Sequence, residues 1–373
     1  MKISLITQYL EGHGGTERVI SELVNHDLVN TYQVLVPASG KPDWLQWFKR
    51  PQKTYSVKIC HAAKKSQQQN FITENILAFK PDIVLGLEGK ANRLANQIRK
   101  EFNLAYKIIS WGHTSIAESK SFAPKDLSYA DYHLAISTGI KKQLIARNVD
   151  PQKVFLIFNP IKLRPTQPIT VPQDNIFHPV FIGRILLDGQ KNVRMLLEVL
   201  KKLTFPWKID IFGEGKDLPA AKQLASNLGI AANINWCGWV ADPWKAIKQA
   251  DCLLLCSKYE GFPMVVVEAI SRGLPVISTD CPTGPRDIIN QANGILTPMK
   301  DQAAFVAACK KVYQNRRKID RRQVQTTIKR FDTKTYIKRL QLIYHFAANP
   351  TEKYTIQIKN KNEGGNSFSK SPI

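Results

Sequence analysis

Two successive runs of alternating strand-like and helix-like segments, divided by a proline-rich stretch, constrain this chain more than any other feature. The first run reads KISLITQ, a glycine turn, ERVISELVNHDL, YQVLVPA, PDIVLGL, ANRLANQIRKEF, AYKIISWGH, DYHLAIS and KVFLIFNP. Its short apolar segments have strand length and β-branched content, and its longer ones repeat apolar residues at helical spacing. Such alternation leads to a parallel sheet with helices on both faces. About six strands are expected by residue 160. Residues 161–177, IKLRPTQPITVPQDNIF, carry three prolines and little periodicity, and read as a linker. The cycle then restarts with HPVFIGR, VRMLLEVLKKL, WKIDIFG, DLPAAKQLASNLG, INWCGWV, WKAIKQA, DCLLLCS, MVVVEAISRG and PVISTD. The expected organisation is one Rossmann-like α/β domain over 1–165 and a second over 175–330. An amphipathic helix over 333–347 and a polar, disordered tail over 350–373 follow. Ligands of open α/β sheets bind beyond the strand carboxyl ends, so both domains should turn those ends toward a shared cleft.

A length of 373 residues with 43% hydrophobic content suffices for two cores. The six cysteines show no C-x-x-C pair. Cys252 and Cys256, in the run DCLLLCS, read as small buried hydrophobes, and a reducing, cytoplasmic compartment fits. The apolar run in MKISLITQYLEGHGG is too short for a signal sequence, and no stretch reaches bilayer-spanning length. The formal net charge is +23, which favours anionic partners. One basic cluster spans 310–339. A second, over 41–65, mixes Trp44, Trp47 and Phe48 with lysines and Arg50, a composition suited to an anionic membrane surface, at the inner face of the cell membrane. Charge alone would also allow a nucleic-acid binder, but that reading leaves both α/β cycles without a role, and no nucleic-acid partner is expected.

The segment YEGFPMVVVEAISRGLPVIS carries Glu260 and Glu268 with seven residues between them. A helix starting around Pro263 puts Glu260 in the preceding loop and Glu268 about a turn inside, so that both carboxylates reach one ligand. The same helix end offers free N–H groups and partial positive charge, which suit phosphate. Carboxylates for sugar hydroxyls beside an anion site describe a nucleotide-sugar pocket. Gly14 and Gly15 follow the first strand and allow close approach of backbone to phosphate. Arg184 and Lys191, in FIGRILLDGQKNV, supply a fork and a point charge for a departing diphosphate. His113 ends a strand in IISWGHTS, where an imidazole can meet a sugar hydroxyl or orient an acceptor. No D-x-D pair occurs in the chain, and no His or Cys cluster is visible, so no essential metal is expected.

These segments resemble the E-x7-E retaining glycosyltransferases of family 4, which have the GT-B fold. SYADYHLAISTGIKKQLIARNV, INWCGWVADPW and EGFPMVVVEAISRGLPVISTDCPTGPRDII are similar to the lipopolysaccharide 1,6-galactosyltransferase subfamily. The resemblance implies two Rossmann-like domains facing across a cleft, with the final helix crossing back to the first. It implies transfer of a hexose from a nucleotide sugar, UDP-galactose in that subfamily, to a glycan or glycolipid acceptor. By the same resemblance Glu260, Arg184, Lys191 and His113 are the catalytic set. Glu268 accepts the ribose hydroxyls, and Gly14, Gly15, Gly261, Phe262, Pro263, Met264 and Trp239 line the donor. Asn159 and Pro160 match an N-P near the domain junction, and Arg286 and Asp287 border the acceptor. Another UDP-hexose or UDP-N-acetylhexosamine in capsule, exopolysaccharide or cell-wall synthesis is the alternative. A UDP-sugar epimerase is a more distant one.

Overall fold

The structure, a computed structural model, describes residues 1–7, 10, 14–37, 48, 54–118, 122–163 and 167–349. Its first sheet contains β1 (Lys2–Ile6), β2 (Thr31–Val36), β3 (Tyr55–Ile59), β4 (Ile83–Gly86), β5 (Lys107–Ser110), β6 (Tyr132–Ala135) and β7 (Val154–Leu156). The strands lie in the order β3-β2-β1-β4-β5-β6-β7, and every neighbouring pair is parallel. Between them run α1 (Gly15–His26), α2 (Lys65–Phe79), α3 (Gly89–Glu101), α4 (Pro124–Leu127) and α5 (Thr138–Ile145).

Successive residues of these strands feed opposite faces, as the period of a strand requires. Ile3, Leu5, Val34, Ile83, Leu85 and Ile109 join a cluster with Val19, Ile20 and Leu23 of α1. Their neighbours Ile6, Leu35, Val84 and Ile108 pack with Ile72 and Ile76 of α2 and Ala91, Ala95 and Ile98 of α3. Burial on both faces explains why the sequence reads as near-continuous apolar runs.

The second sheet repeats the plan with β8 (Pro179–Ile182), β9 (Ile209–Phe212), β10 (Ile234–Gly238), β11 (Cys252–Leu255), β12 (Val276–Thr279) and β13 (Gly294–Thr297). Their order is β10-β9-β8-β11-β12-β13, again parallel throughout. Its helices are α6 (Val193–Lys201), α7 (Leu218–Asn227), α8 (Pro243–Ala246), α9 (Met264–Ile270), α10 (Pro285–Ile288), α11 (Gln302–Asn315) and α12 (Arg321–Thr326). A last helix, α13 (Thr333–Ala348), returns to the first domain. There Gln341 donates to Asp27 at 2.8 Å, Thr333 to Glu22 at 2.7 Å, and the Arg339 guanidinium to the Ile157 carbonyl at 3.0 Å. Tyr336, Leu340, Ile343 and Tyr344 of α13 complete the cluster begun by α1.

Several elements were not read from the sequence, among them the short helices α4, α5, α10 and α12. The strand β3 and the helix α2 fall in and just after the stretch read as a basic–aromatic surface, and β13 and α11 were not apparent as elements. Phe48, expected at a membrane surface, is instead buried beside Tyr55, with ring centroids 6.3 Å apart. Trp44, Trp47 and most of the basic residues of that stretch lie outside the described residues, as do residues 11–13 of the glycine turn and the tail from 350. The linker is not a free tether. Ile161 bridges to Asp332, Thr170 to Gln249 and Phe177 to Trp207. Cys252 and Cys256 are fully buried, as expected for small hydrophobes.

Candidate active site

In each sheet the strand order reverses between two adjacent strands, β1 and β4 in the first, β8 and β11 in the second. The loops leaving such a pair diverge and open a crevice. Three of the four candidate catalytic residues fall on the loops of the second pair, and His113 follows β5. Arg184 and Lys191 follow β8, and Glu260 follows β11.

Across that second crevice Lys191 Nζ meets Glu260 Oε1 at 2.7 Å, with both side chains largely buried. Ser257 Oγ donates to the same oxygen at 2.6 Å. Gln190 Nε2 donates to the Tyr259 carbonyl at 3.1 Å and approaches Glu260 Oε2 at 3.5 Å, while its own carbonyl takes Arg184 Nη2 at 3.3 Å. The Thr283 hydroxyl donates to the Glu260 carbonyl and pins the loop from beneath. Arg184 itself is exposed. An exposed cation and a largely buried, carboxylate-paired one therefore stand on one loop. The Cys281 thiol nearby is pushed up to about 12, by burial first and by the Glu260 charge second, so it stays protonated and is no nucleophile at neutral pH.

Glu268 is built differently. The helix α9 begins at Met264 with Pro263 as its N-cap, one residue later than expected, and Glu268 lies inside it. Its Oε2 accepts the Trp244 indole N–H at 2.8 Å, and its Oε1 pairs with Arg18 of α1, in the other domain. Arg272 stacks over the Trp244 ring at 4.9 Å.

Among the close approaches of the first domain to this surface, two involve glycines expected at the site. A Cβ on Gly15 would stand 3.0 Å from Met264 Cγ, so the start of α1 abuts the start of α9. Gly261 faces the His113 carbonyl so closely that any Cβ there would collide with the backbone. This contact explains glycine at position 261 and sets His113 beside the Glu260 loop. Burial pulls the His113 imidazole down to about 3, keeping it neutral. Its Nε2 and the Trp111 Nε1 are buried without a hydrogen-bond partner among the described residues. The two rings lie 4.6 Å apart. Unpaired polar atoms at a strand end suit a bound hydroxyl group.

Other expected site residues have different surroundings. The Phe262 ring, expected against the donor, packs at the domain junction, 6.0 Å from Phe158 and 5.2 Å from Phe331. A bulky apolar ring gains more in that aromatic cluster than at a polar pocket wall. Asp287, expected at the acceptor, accepts the Thr138 N–H at 2.8 Å and its hydroxyl at 2.7 Å, so it bridges the domains at the start of α5. Arg286 pairs with Asp280. Asn159 is buried at the junction. Gly14 is the N-cap of α1, against the Glu17 carboxylate. Trp239 is 44% exposed just past β10, where its N–H approaches Glu214 at 3.4 Å. Sequence reasoning missed Arg18, Gln190, Trp244, Ser257 and Thr283. Arg18 stands three residues after Gly15, close to the glycines read as a phosphate approach.

Comparison with known proteins identifies the family. The sequence pattern of the family described as glycosyl transferases group 1 matches residues 173–330. The chain is 33% identical to the lipopolysaccharide 1,6-galactosyltransferase of Salmonella typhimurium strain LT2, over 91% of this chain and 97% of that protein. This chain belongs to the group 1 glycosyl transferases. The enzyme of the same name from Escherichia coli K12 is 30% identical to this glycosyltransferase, over 92% of this chain and 98% of its own length. Among solved structures, the apo form of the lipopolysaccharide outer core galactosyltransferase WaaB superposes with a TM-score of 0.79 at 30% identity, covering 94% of this chain and 100% of that one. Anabaena HepE in complex with UDP superposes at 0.77, over 92% of this chain and 100% of that one, but is only 17% identical, a likeness of fold alone. The two parallel α/β domains of this glycosyltransferase form the GT-B fold. No helix among its described residues is long and apolar enough to cross a membrane.

Proposed function

We propose that this glycosyltransferase moves galactose from UDP-galactose, with retention, onto a hexose of a lipopolysaccharide core or a related cell-surface glycolipid. The observation that carries the donor reading is the Lys191–Glu260 pair, 2.7 Å apart across the β8/β11 crevice. It presents a buried cation for the diphosphate beside a carboxylate for the sugar. Similarity to two lipopolysaccharide galactosyltransferases supports the choice of sugar and acceptor.

In this reading Lys191 and the exposed Arg184 take up the charge that develops on the β-phosphate as the glycosidic bond breaks. Glu260 accepts hydrogen bonds from sugar hydroxyls and fixes the anomeric carbon. Glu268 accepts from the ribose. Neutral His113 contacts a sugar hydroxyl. The acceptor hydroxyl attacks on the face the diphosphate leaves, and its proton passes to the departing phosphate oxygen. With two cations to hold the diphosphate, no divalent ion is required. Attachment to an anionic membrane surface at the cytoplasmic side would bring the soluble donor to a lipid-borne acceptor, and the charge of +23 favours it.

The test is UDP release from a panel of UDP-sugars, with and without deacylated lipopolysaccharide core, with and without EDTA. Acceptor-dependent release from UDP-galactose alone, insensitive to EDTA, is expected. Release from another UDP-hexose or an N-acetylhexosamine donor would replace the sugar. Conversion to an isomeric nucleotide sugar without an acceptor would replace the reaction. Loss of activity in EDTA, restored by magnesium, would overturn the metal-free mechanism.

A further inference from the structure

We infer that Arg18 is a positioning residue for the donor: reaching from the first domain, it aligns the Glu268 carboxylate so that ribose recognition requires both sides of the cleft. The inference rests on the nucleotide-sugar reading above and adds a residue and a coupling to it.

The argument begins with lone pairs. An ionised carboxylate offers about four acceptor sites, two on each oxygen. In Glu268 one site on Oε1 takes Arg18 and one on Oε2 takes the Trp244 indole N–H at 2.8 Å. One site remains on each oxygen, an arrangement that matches two adjacent hydroxyls. The two partners hold one oxygen each and leave the second acceptor site of each oxygen for the ligand.

The partners differ in origin. Trp244 belongs to the same domain as Glu268 and is locked by Arg272 over its ring. Arg18 arrives from α1, 250 residues away in sequence. The ion pair is shielded, with the Arg18 side chain 29% exposed and that of Glu268 10%. Shielding strengthens its hold over what a surface pair would give. Gly15 against Met264 brings α1 close enough for Arg18 to reach across. When the cleft opens, Arg18 leaves and Glu268 keeps one partner of two, so its plane is no longer fixed.

The experiment compares UDP with 2′-deoxy-UDP and 3′-deoxy-UDP by calorimetric titration on the full chain. Wild type, Arg18→Ala, Arg18→Lys and Trp244→Phe are each titrated with all three. The ratio of affinities within one preparation cancels any loss of folded protein. In wild type each missing hydroxyl should weaken binding about tenfold or more, the range for a hydrogen bond to a charged acceptor. In Arg18→Ala that ratio should fall below about threefold, while Arg18→Lys keeps most of it, because an ammonium still pairs with the carboxylate. Trp244→Phe should also shrink the ratio. In turnover, Arg18→Ala should raise the donor KM and leave kcat within about threefold. UDP binding with the full wild-type ratio in Arg18→Ala would overturn the positioning role and leave the nucleotide-sugar reading standing. Equal affinity of wild type for UDP and both deoxy forms would also overturn it. No UDP binding by wild type would remove the uridine-donor reading and this inference with it.

Discussion

The two carboxylates of the E-x7-E segment, so alike in sequence, occupy two differently built regions. Around Glu260 every partner comes from the second domain: Lys191, Ser257 and Gln190. Around Glu268 the second domain gives Trp244 and the first gives Arg18. The Glu260 carboxylate is therefore held from one domain, and the Glu268 carboxylate from both. Under the proposed donor reading, the carboxylate assigned to the sugar is held locally, and the one assigned to the ribose depends on contact between the domains.

The largest effect should come from the local region. Glu260→Gln keeps the shape but removes the charge facing Lys191, and should lower kcat by about 100- to 1,000-fold. Near-normal turnover would show that the pair is only structural. Glu268→Gln should act on binding instead, raising the donor KM about tenfold with a small change in kcat. If both substitutions lowered kcat equally, the contrast between the regions would be lost.

Much of this was legible in the chain and some was not. Strands buried on both faces announce themselves as apolar runs, which is why most of the two sheets could be read. The edge strand β3, YSVKI, buries only Tyr55, and its Ser56 and Lys58 break the continuous apolar run that marks strands buried on both faces. The helix α2 buries only Ile72 and Ile76, too narrow a stripe to stand out among its glutamines and asparagines. The placement of Glu260 and Lys191 on loops past strand ends was legible from position and charge, and that of Glu268 inside a helix from its spacing to Pro263. The Arg18–Glu268 pair was not, because no spacing rule relates residues so far apart on different domains. Phe262 misled because its neighbours in sequence belong to the site while its ring belongs to the junction.

A smaller effect tests the junction apart from either carboxylate. Asp287→Asn should destabilise the protein by about 1–2 kcal/mol in urea unfolding, through weakened acceptance from Thr138. Thr138→Val should cost a similar amount, and the double variant less than the sum. Additive costs would show that the bridge does not act as a unit. The acid response should be smallest. Burial holds His113 down to about 3 and His133 to about 4, against an ordinary value of 6.5. The unfolded chain takes up protons that the folded imidazoles refuse, so stability falls as pH drops through 6.5 and levels off only near pH 3 to 4. Each histidine should remove about 0.7 kcal/mol between pH 7 and pH 6. His113→Asn should halve that loss in urea titrations, and an unchanged loss would mean the imidazole is charged in the folded protein.

The return of α13 to the first domain also sets an order of events during synthesis. The strands of that domain are finished at Leu156, yet Asp27, Glu22 and the Ile157 carbonyl wait for partners that begin at Thr333. At 5–20 residues per second, the ribosome needs on the order of ten seconds or more to deliver them. Until then the earliest-made half of the enzyme exposes the apolar flank of α1. It is the half most in need of a chaperone, and the half that a stop codon near the end of the message would damage first.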